Sequence, residues 1–312
     1  MSLALQFSSR KLLLCRTCVR TACLVALVPC QPAPVRAQST LPTPPSAVAG
    51  RVPPATATLA ERVEEYMRAS VRNAHFSGTI LIARDGVPLV SRSYGMANYE
   101  LQTPNTGATV YNLASIAKQF TATLIMQLQE QGKLKVSDRL CTFTADCPAA
   151  WRSITLRHLL SHTSGVPNYS SLPNWDEELA HRSYTRTSQL ALFRDLPLDF
   201  PPGDKYRYSN SGFFLLGRVI EQVTGRPYGD VLRTSITEPL GMTQTRFHDS
   251  RALVEHLASG YYSLGTTFIN ATHESPSTGL GAGGIVSTTA DLLRWDQALY
   301  TDRLLSTATR DE

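Results

Sequence analysis

Asn112-Leu113-Ala114-Ser115-Ile116-Ala117-Lys118-Gln119-Phe120 places a hydroxyl and an amine three positions apart at the mouth of an apolar run. Apolar residues recur at 113, 117, 120, 124 and 128 and Gly132 ends the run, so the spacing predicts a buried helix over 113–131 with a glycine cap. On that helix Ser115 and Lys118 share a face, where an amine can take the hydroxyl's proton. The unbonded N–H groups of the first turn suit a developing oxyanion. Spacing alone is weak, since Ser8 and Lys11 share it. Composition adds weight: after residue 37 the chain holds 21 Arg but only four Lys, and one of those four lies inside this helix. Arginine keeps its proton, whereas a desolvated lysine gives it up.

Outward from this run, 59–71 has helical spacing, 76–83 is a short apolar stretch expected to be buried on both faces, and Asp85-Gly86 turns it into 87–94 as a hairpin. Further helical patterns cover 156–160, 188–192, 212–223 and 290–299, joined by long Pro/Gly/Ser-rich connections. Strands first and helices afterwards predict an α+β fold. Tyr208-Ser209-Asn210 opens the 212–223 helix; Tyr208 suits a proton relay, and Asn210 either a substrate-holding amide or a simple N-cap.

The ends of the chain set its context. Residues 1–37 read as a secretory signal: a basic stretch, an apolar run over 22–28 and Val35-Arg36-Ala37 as the cleavage site, so a periplasmic or secreted protein is expected. That apolar run is too short for a membrane span. The net charge of +5 comes from five basic residues in the leader, leaving 25 bases against 25 acids and no pull toward nucleic acid. Residues 38–58, rich in Pro, Ala, Ser and Thr, read as a linker before a folded domain over 59–312. Cys141 and Cys147 remain after the leader and are expected to pair. His158 and His162 have the i, i+4 spacing of zinc ligands but lack an intervening glutamate and a third ligand, so they read as structural residues beside the Thr163-Ser164-Gly165 turn. No metal or other cofactor is called for.

The same segments resemble the serine hydrolases related to class C β-lactamases and penicillin-binding DD-peptidases. The resemblance runs in order through 76–86, 112–120, 155–165 (ending His158-Leu159-Leu160-Ser161-His162-Thr163-Ser164-Gly165), 200–212, Glu238-Pro239-Leu240-Gly241-Met242 and 281–291. It implies an antiparallel sheet flanked by helices with a mostly helical subdomain. It also implies that Ser115 attacks an amide or ester carbonyl to form an acyl-enzyme, that Lys118 and Tyr208 share the proton work, and that Asn210 helps hold the substrate. Whether Lys118 or Tyr208 is the formal base stays open. The substrate would be a β-lactam, a D-alanyl peptide of peptidoglycan type or a simple ester. The family's third motif, Lys or His before a small residue and Gly, does not follow 281–291, so the domain is expected to be C-terminally incomplete. A penicillin- or peptidoglycan-binding protein without turnover is the rival reading.

Overall fold

The computed structural model describes residues 57–312 except 75, 146, 249, 250, 265 and 266. The leader, and the linker up to residue 56, lie outside the described residues. The elements run in the order α1 (Leu59–Ala74), β1 (Gly78–Arg84), β2 (Val87–Tyr94), β3 (Met96–Asn98), β4 (Thr103–Pro104), β5 (Tyr111–Asn112), α2 (Ala117–Glu130), α3 (Leu156–Leu160), α4 (Arg186–Ala191), α5 (Asn210–Thr224), α6 (Tyr228–Leu232) and α7 (Glu238–Leu240). They continue with β6 (Arg246–Phe247), β7 (Tyr261–Leu264), β8 (Thr267–Asn270), β9 (Ile285–Ser287), α8 (Thr289–Leu299) and α9 (Thr307–Asp311). This is the α+β arrangement expected from the sequence. Among the described residues no helix is long and apolar enough to cross a membrane.

β1 and β2 pair antiparallel around Asp85 and Gly86, both with positive φ (52° and 77°), as the tight hairpin turn requires. The expectation that β1 is buried on both faces is not met. Only Gly78 is fully buried and Thr79 to Ala83 are half-buried, because β1 pairs with β2 along one edge while α8 packs against it. β5, β9 and β6 form a three-stranded sheet in that order, pairing Tyr111 with Ser287 and Phe247 with Ile285.

The core lies between α2 and α5. All five apolar positions of the first run are buried: Leu113, Ala117, Phe120, Leu124 and Leu128. They meet Phe213, Phe214, Leu215, Leu216, Val219 and Ile220 of α5, a helix apolar on nearly every side and therefore central. Each such side chain removed from water is worth about 1.5–3 kcal/mol. Phe120 also stacks on Trp295 of α8 with ring centroids 4.0 Å apart. At the far end of α2, Gly132 (φ 67°) lets its own N–H reach Gln129 O and lets the Lys133 N–H reach Leu128 O, closing the helix where the sequence placed the cap. Cys141 and Cys147 are joined as a disulfide.

Two boundaries differ from expectation in ways that matter for chemistry. Residues 114–116 form a 3-10 turn ahead of α2, and Ala114 takes a positive φ of 46°, its N–H held by Asn112 Oδ1 at 2.9 Å. Ser115 is therefore carried on a tight turn in front of the helix and not within it. The N-cap of α5 is Ser209, whose Oγ accepts the Gly212 N–H, and Asn210 is the first helical residue. Moving the cap back one position frees the Asn210 side chain.

Candidate active site

The turn before α2 and the irregular segment entering α5 bring four of the sequence's candidates together. Ser115 Oγ lies 2.5 Å from Tyr208 Oη and accepts a hydrogen bond from Lys118 Nζ at 3.1 Å. Lys118 Nζ also donates to Asn210 Oδ1 at 2.8 Å and to the Ala282 carbonyl at 2.6 Å. Three acceptors surround a group with three donors when charged. When neutral, the amine keeps two N–H groups for Asn210 and Ala282 and turns its lone pair toward Ser115.

Electrostatics favour that neutral form. Lys118 is only 7% exposed, and burial lowers its pKa from lysine's usual 10.5 to about 8. None of its three hydrogen-bond partners is a carboxylate. Its Nζ sits 4.8 Å from the Tyr208 ring centroid and 5.6 Å from that of Phe213. The N-terminal ends of α2 and α5 both face the cluster, and their partial positive charge adds to the bias against a second cation. Ser115 and Tyr208 stay exposed, so an incoming carbonyl can reach the hydroxyl.

The Ala282 carbonyl depends on a close backbone crossing. Gly281 has a φ of 64°, and a β-carbon there would lie 2.3 Å from Phe213 O; one on Gly217 would lie 2.8 Å from the Leu280 side chain. The 280–284 segment thus lies directly on α5, which sets Ala282 O against Lys118. Thr121 Oγ1 donates to Gly281 O at 2.7 Å and shares a 2.7 Å hydrogen bond with Tyr228 Oη, fixing the same segment from α2.

Sequence reasoning missed Ala282, Asn168 and Ser170. A carbonyl carries no side-chain signature. Asn168 Oδ1 accepts the Asn210 N–H at 3.0 Å, and Ser170 Oγ accepts from Asn210 Nδ2 at 2.9 Å. The Asn210 amide is thereby held at both ends, by Lys118 and by Ser170. The only signal for this pair was a polar cluster just after the Thr163-Ser164-Gly165 turn.

The two histidines are engaged separately. His158 Nδ1 accepts the Thr155 N–H at 3.3 Å in a capping box that opens α3. His162 lies against Tyr208, with ring centroids 4.6 Å apart. A cavity of about 860 Å³ elsewhere is lined by Tyr228, Met242, Arg246 and Phe247, and none of Ser115, Lys118 or Tyr208 lines it.

Comparison with known proteins identifies the family of this fold. The chain is 34% identical over 252 residues to penicillin-binding protein 4* of Bacillus subtilis (strain 168), covering 76% of this chain and 55% of that protein. It is similar to the crystal structure of a penicillin-binding protein from Bacillus halodurans, with 30% identity, a TM-score of 0.71, and 79% of this chain and 76% of that one covered. A D-stereospecific amidohydrolase from Streptomyces sp. superimposes with 29% identity and a TM-score of 0.67, covering 78% and 75% of the two chains. The chain spans 48% to 63% of the length of three curated relatives it matches. The family model described as Beta-lactamase matches residues 59–312, the whole segment that the sequence assigned to one folded domain, and the chain belongs to that family.

Proposed function

We propose that the protein is a serine acyl hydrolase that cleaves amide or ester bonds through an acyl-enzyme on Ser115. The observation that carries this reading is the convergence of Lys118 Nζ and Tyr208 Oη on one serine oxygen. In the first step Ser115 Oγ bonds to the substrate carbonyl carbon and its proton passes to the neutral Lys118 amine, directly or through Tyr208 Oη. The carbonyl oxygen becomes an oxyanion, for which the Ser115 N–H and the adjoining helix end supply positive potential. Collapse breaks the bond to the leaving amine or alcohol, which takes the proton back from the same pair. Water then adds to the acyl-Ser115 ester by the reverse proton route and releases the carboxylate. Asn210 holds Lys118 in line with the serine, and its Nδ2 hydrogen bond to Ser170 keeps its oxygen turned to the amine.

The substrate class is a β-lactam, a D-alanyl peptide of peptidoglycan type or a carboxylic ester. The similar penicillin-binding proteins, by name, support the β-lactam in this set, and the D-stereospecific amidohydrolase supports an amide of D configuration. Export is part of the proposal: the leader pattern over 1–37 points to it, and the Cys141–Cys147 disulfide suits an oxidising compartment. The test is turnover of nitrocefin, a D-alanyl-D-alanine peptide and p-nitrophenyl acetate. The reading expects at least one to be hydrolysed catalytically, with the rate lost in Ser115→Ala. Hydrolysis that survives in Ser115→Ala contradicts it, and a single stoichiometric burst without turnover marks a penicillin-binding protein instead.

A further inference from the structure

We propose that His162 is a positioning residue for Tyr208, acting as a neutral imidazole that accepts a hydrogen bond through Nδ1; the proposal rests on the hydrolase reading above. The two residues that flank Tyr208 both donate to His162. The Arg207 N–H reaches the His162 carbonyl at 2.9 Å and the Ser209 N–H reaches the ring Nδ1 at 3.2 Å. The Tyr208 ring lies against the imidazole with a centroid separation of 4.6 Å, and Phe213 supports the imidazole at 5.1 Å. One residue therefore holds the tyrosine's backbone on both sides and its ring on one face.

The backbone at His162 adds an independent observation. His162 ends α3 with a φ of 58°, its N–H bonded to Leu159 O and the Thr163 N–H bonded to His158 O. This is the left-handed closing position at which glycine is favoured and a β-carbon is disfavoured. A side chain retained where glycine would fit better points to use of that side chain, and here its use is the bond to Ser209 and the contact with Tyr208.

The protonation state follows from the partner. The Ser209 N–H is a donor, so Nδ1 must be bare and the ring proton must sit on Nε2. The titratable groups facing the ring are Lys118 from α2 and Tyr206 and Tyr208 from the irregular segment before α5; Phe213 of α5 carries no charge. Burial, with the Lys118 charge second, holds the His162 pKa below the usual 6.5. Protonating Nδ1 would set donor against donor and release the segment that carries Tyr208.

Two substitutions separate positioning from folding. His162→Gly suits the left-handed backbone but removes the acceptor and the ring, whereas His162→Asn tolerates that backbone and retains an acceptor near Nδ1. The rate of Ser115 acylation by a fluorophosphonate, taken from pH 5 to 9 beside a thermal melt, is the readout. His162→Gly is expected to melt within a few degrees of the parent yet acylate about 100-fold more slowly, as a reacting group misplaced by about 1 Å would. His162→Asn is expected to recover most of that rate and to lose the extra acid-side fall that His162 protonation adds in the parent, keeping only the fall set by Lys118. A His162→Gly protein that acylates at the parent rate overturns the proposal, and so does a rate loss matched by loss of the fold in both variants. Nitrogen-15 NMR of the His162 ring tests the inference apart from the hydrolase reading. An Nε2–H tautomer at pH 7 is expected, and a proton on Nδ1 refutes it even if Ser115 takes no label.

Discussion

Substituting arginine for Lys118 keeps a cation and removes a base. With its pKa lowered to about 8, Lys118 is neutral in roughly one molecule in ten at pH 7, against roughly three in ten thousand for a lysine at 10.5. Burial thus raises the population able to accept the Ser115 proton by roughly 300-fold. A guanidinium has no such population at any working pH. The acylation rate of Ser115 should therefore fall by about 100- to 10,000-fold in Lys118→Arg, the range that general-base catalysis supplies. In the parent the rate should climb with pH to a midpoint near 8, and in the variant that climb should vanish. Stability moves in the same direction. The unfolded lysine binds more protons between pH 8 and 10.5, so stability rises with pH across that window, and burying the charged amine costs roughly 3 kcal/mol below it. The assay is stopped-time labelling with a fluorophosphonate from pH 6 to 10. A midpoint near 8 that survives in Lys118→Arg, or a rate within tenfold of the parent's, would refute the assignment of Lys118 as the base.

Asn210→Asp places a carboxylate where an amide oxygen now accepts from Lys118 at 2.8 Å. It should raise the midpoint of the pH–rate curve by about one unit or more, cutting acylation at pH 7 about tenfold with recovery at higher pH; an unmoved midpoint counts against the contact. Gly281→Ala sets a β-carbon 2.3 Å from Phe213 O at a φ of 64° and should destabilise by roughly 2 to 4 kcal/mol, read from a denaturant melt. It should slow acylation as well, because Ala282 O moves with it. Replacing Cys141 and Cys147 with serine opens a short loop and should cost about 2 kcal/mol, or about 4 to 8 °C in Tm, with acylation unchanged. Two free thiols in oxidised, unfolded protein lacking residues 1–37 would show that this pair does not form.

What the sequence made legible was what local pattern controls. The 3.6-residue spacing of α2 and the run that became α5 located the core, and Asp85-Gly86 located the hairpin, because a helix face and a tight turn are written in neighbouring residues. Ser115, Lys118 and Tyr208 were legible because hydroxyl, amine and phenol announce their chemistry. The short strands were not. β5 and β9 are two and three residues long and pair Tyr111 with Ser287, so their stability comes from distant chain that no local window contains. β7 and β8 pair locally, Tyr261 with Asn270 and Leu264 with Thr267, but what they pack on, with Phe268 stacked on Tyr99, lies far off in the sequence. Within the site, Ala282 acts through its carbonyl, and Ser170 acts on Asn210 from 40 residues away. His162 was noticed for its spacing from His158, yet its contact with Tyr208 depends on how α3 ends against the segment entering α5.

The central claim is that Ser115 is the residue acylated. The purified protein, treated with a fluorescent penicillin or a fluorophosphonate, digested and mapped by mass spectrometry, should carry the adduct on Ser115 and lose it in Ser115→Ala. An adduct on Ser161, Ser164 or Ser209, or labelling undiminished in Ser115→Ala, would contradict the account.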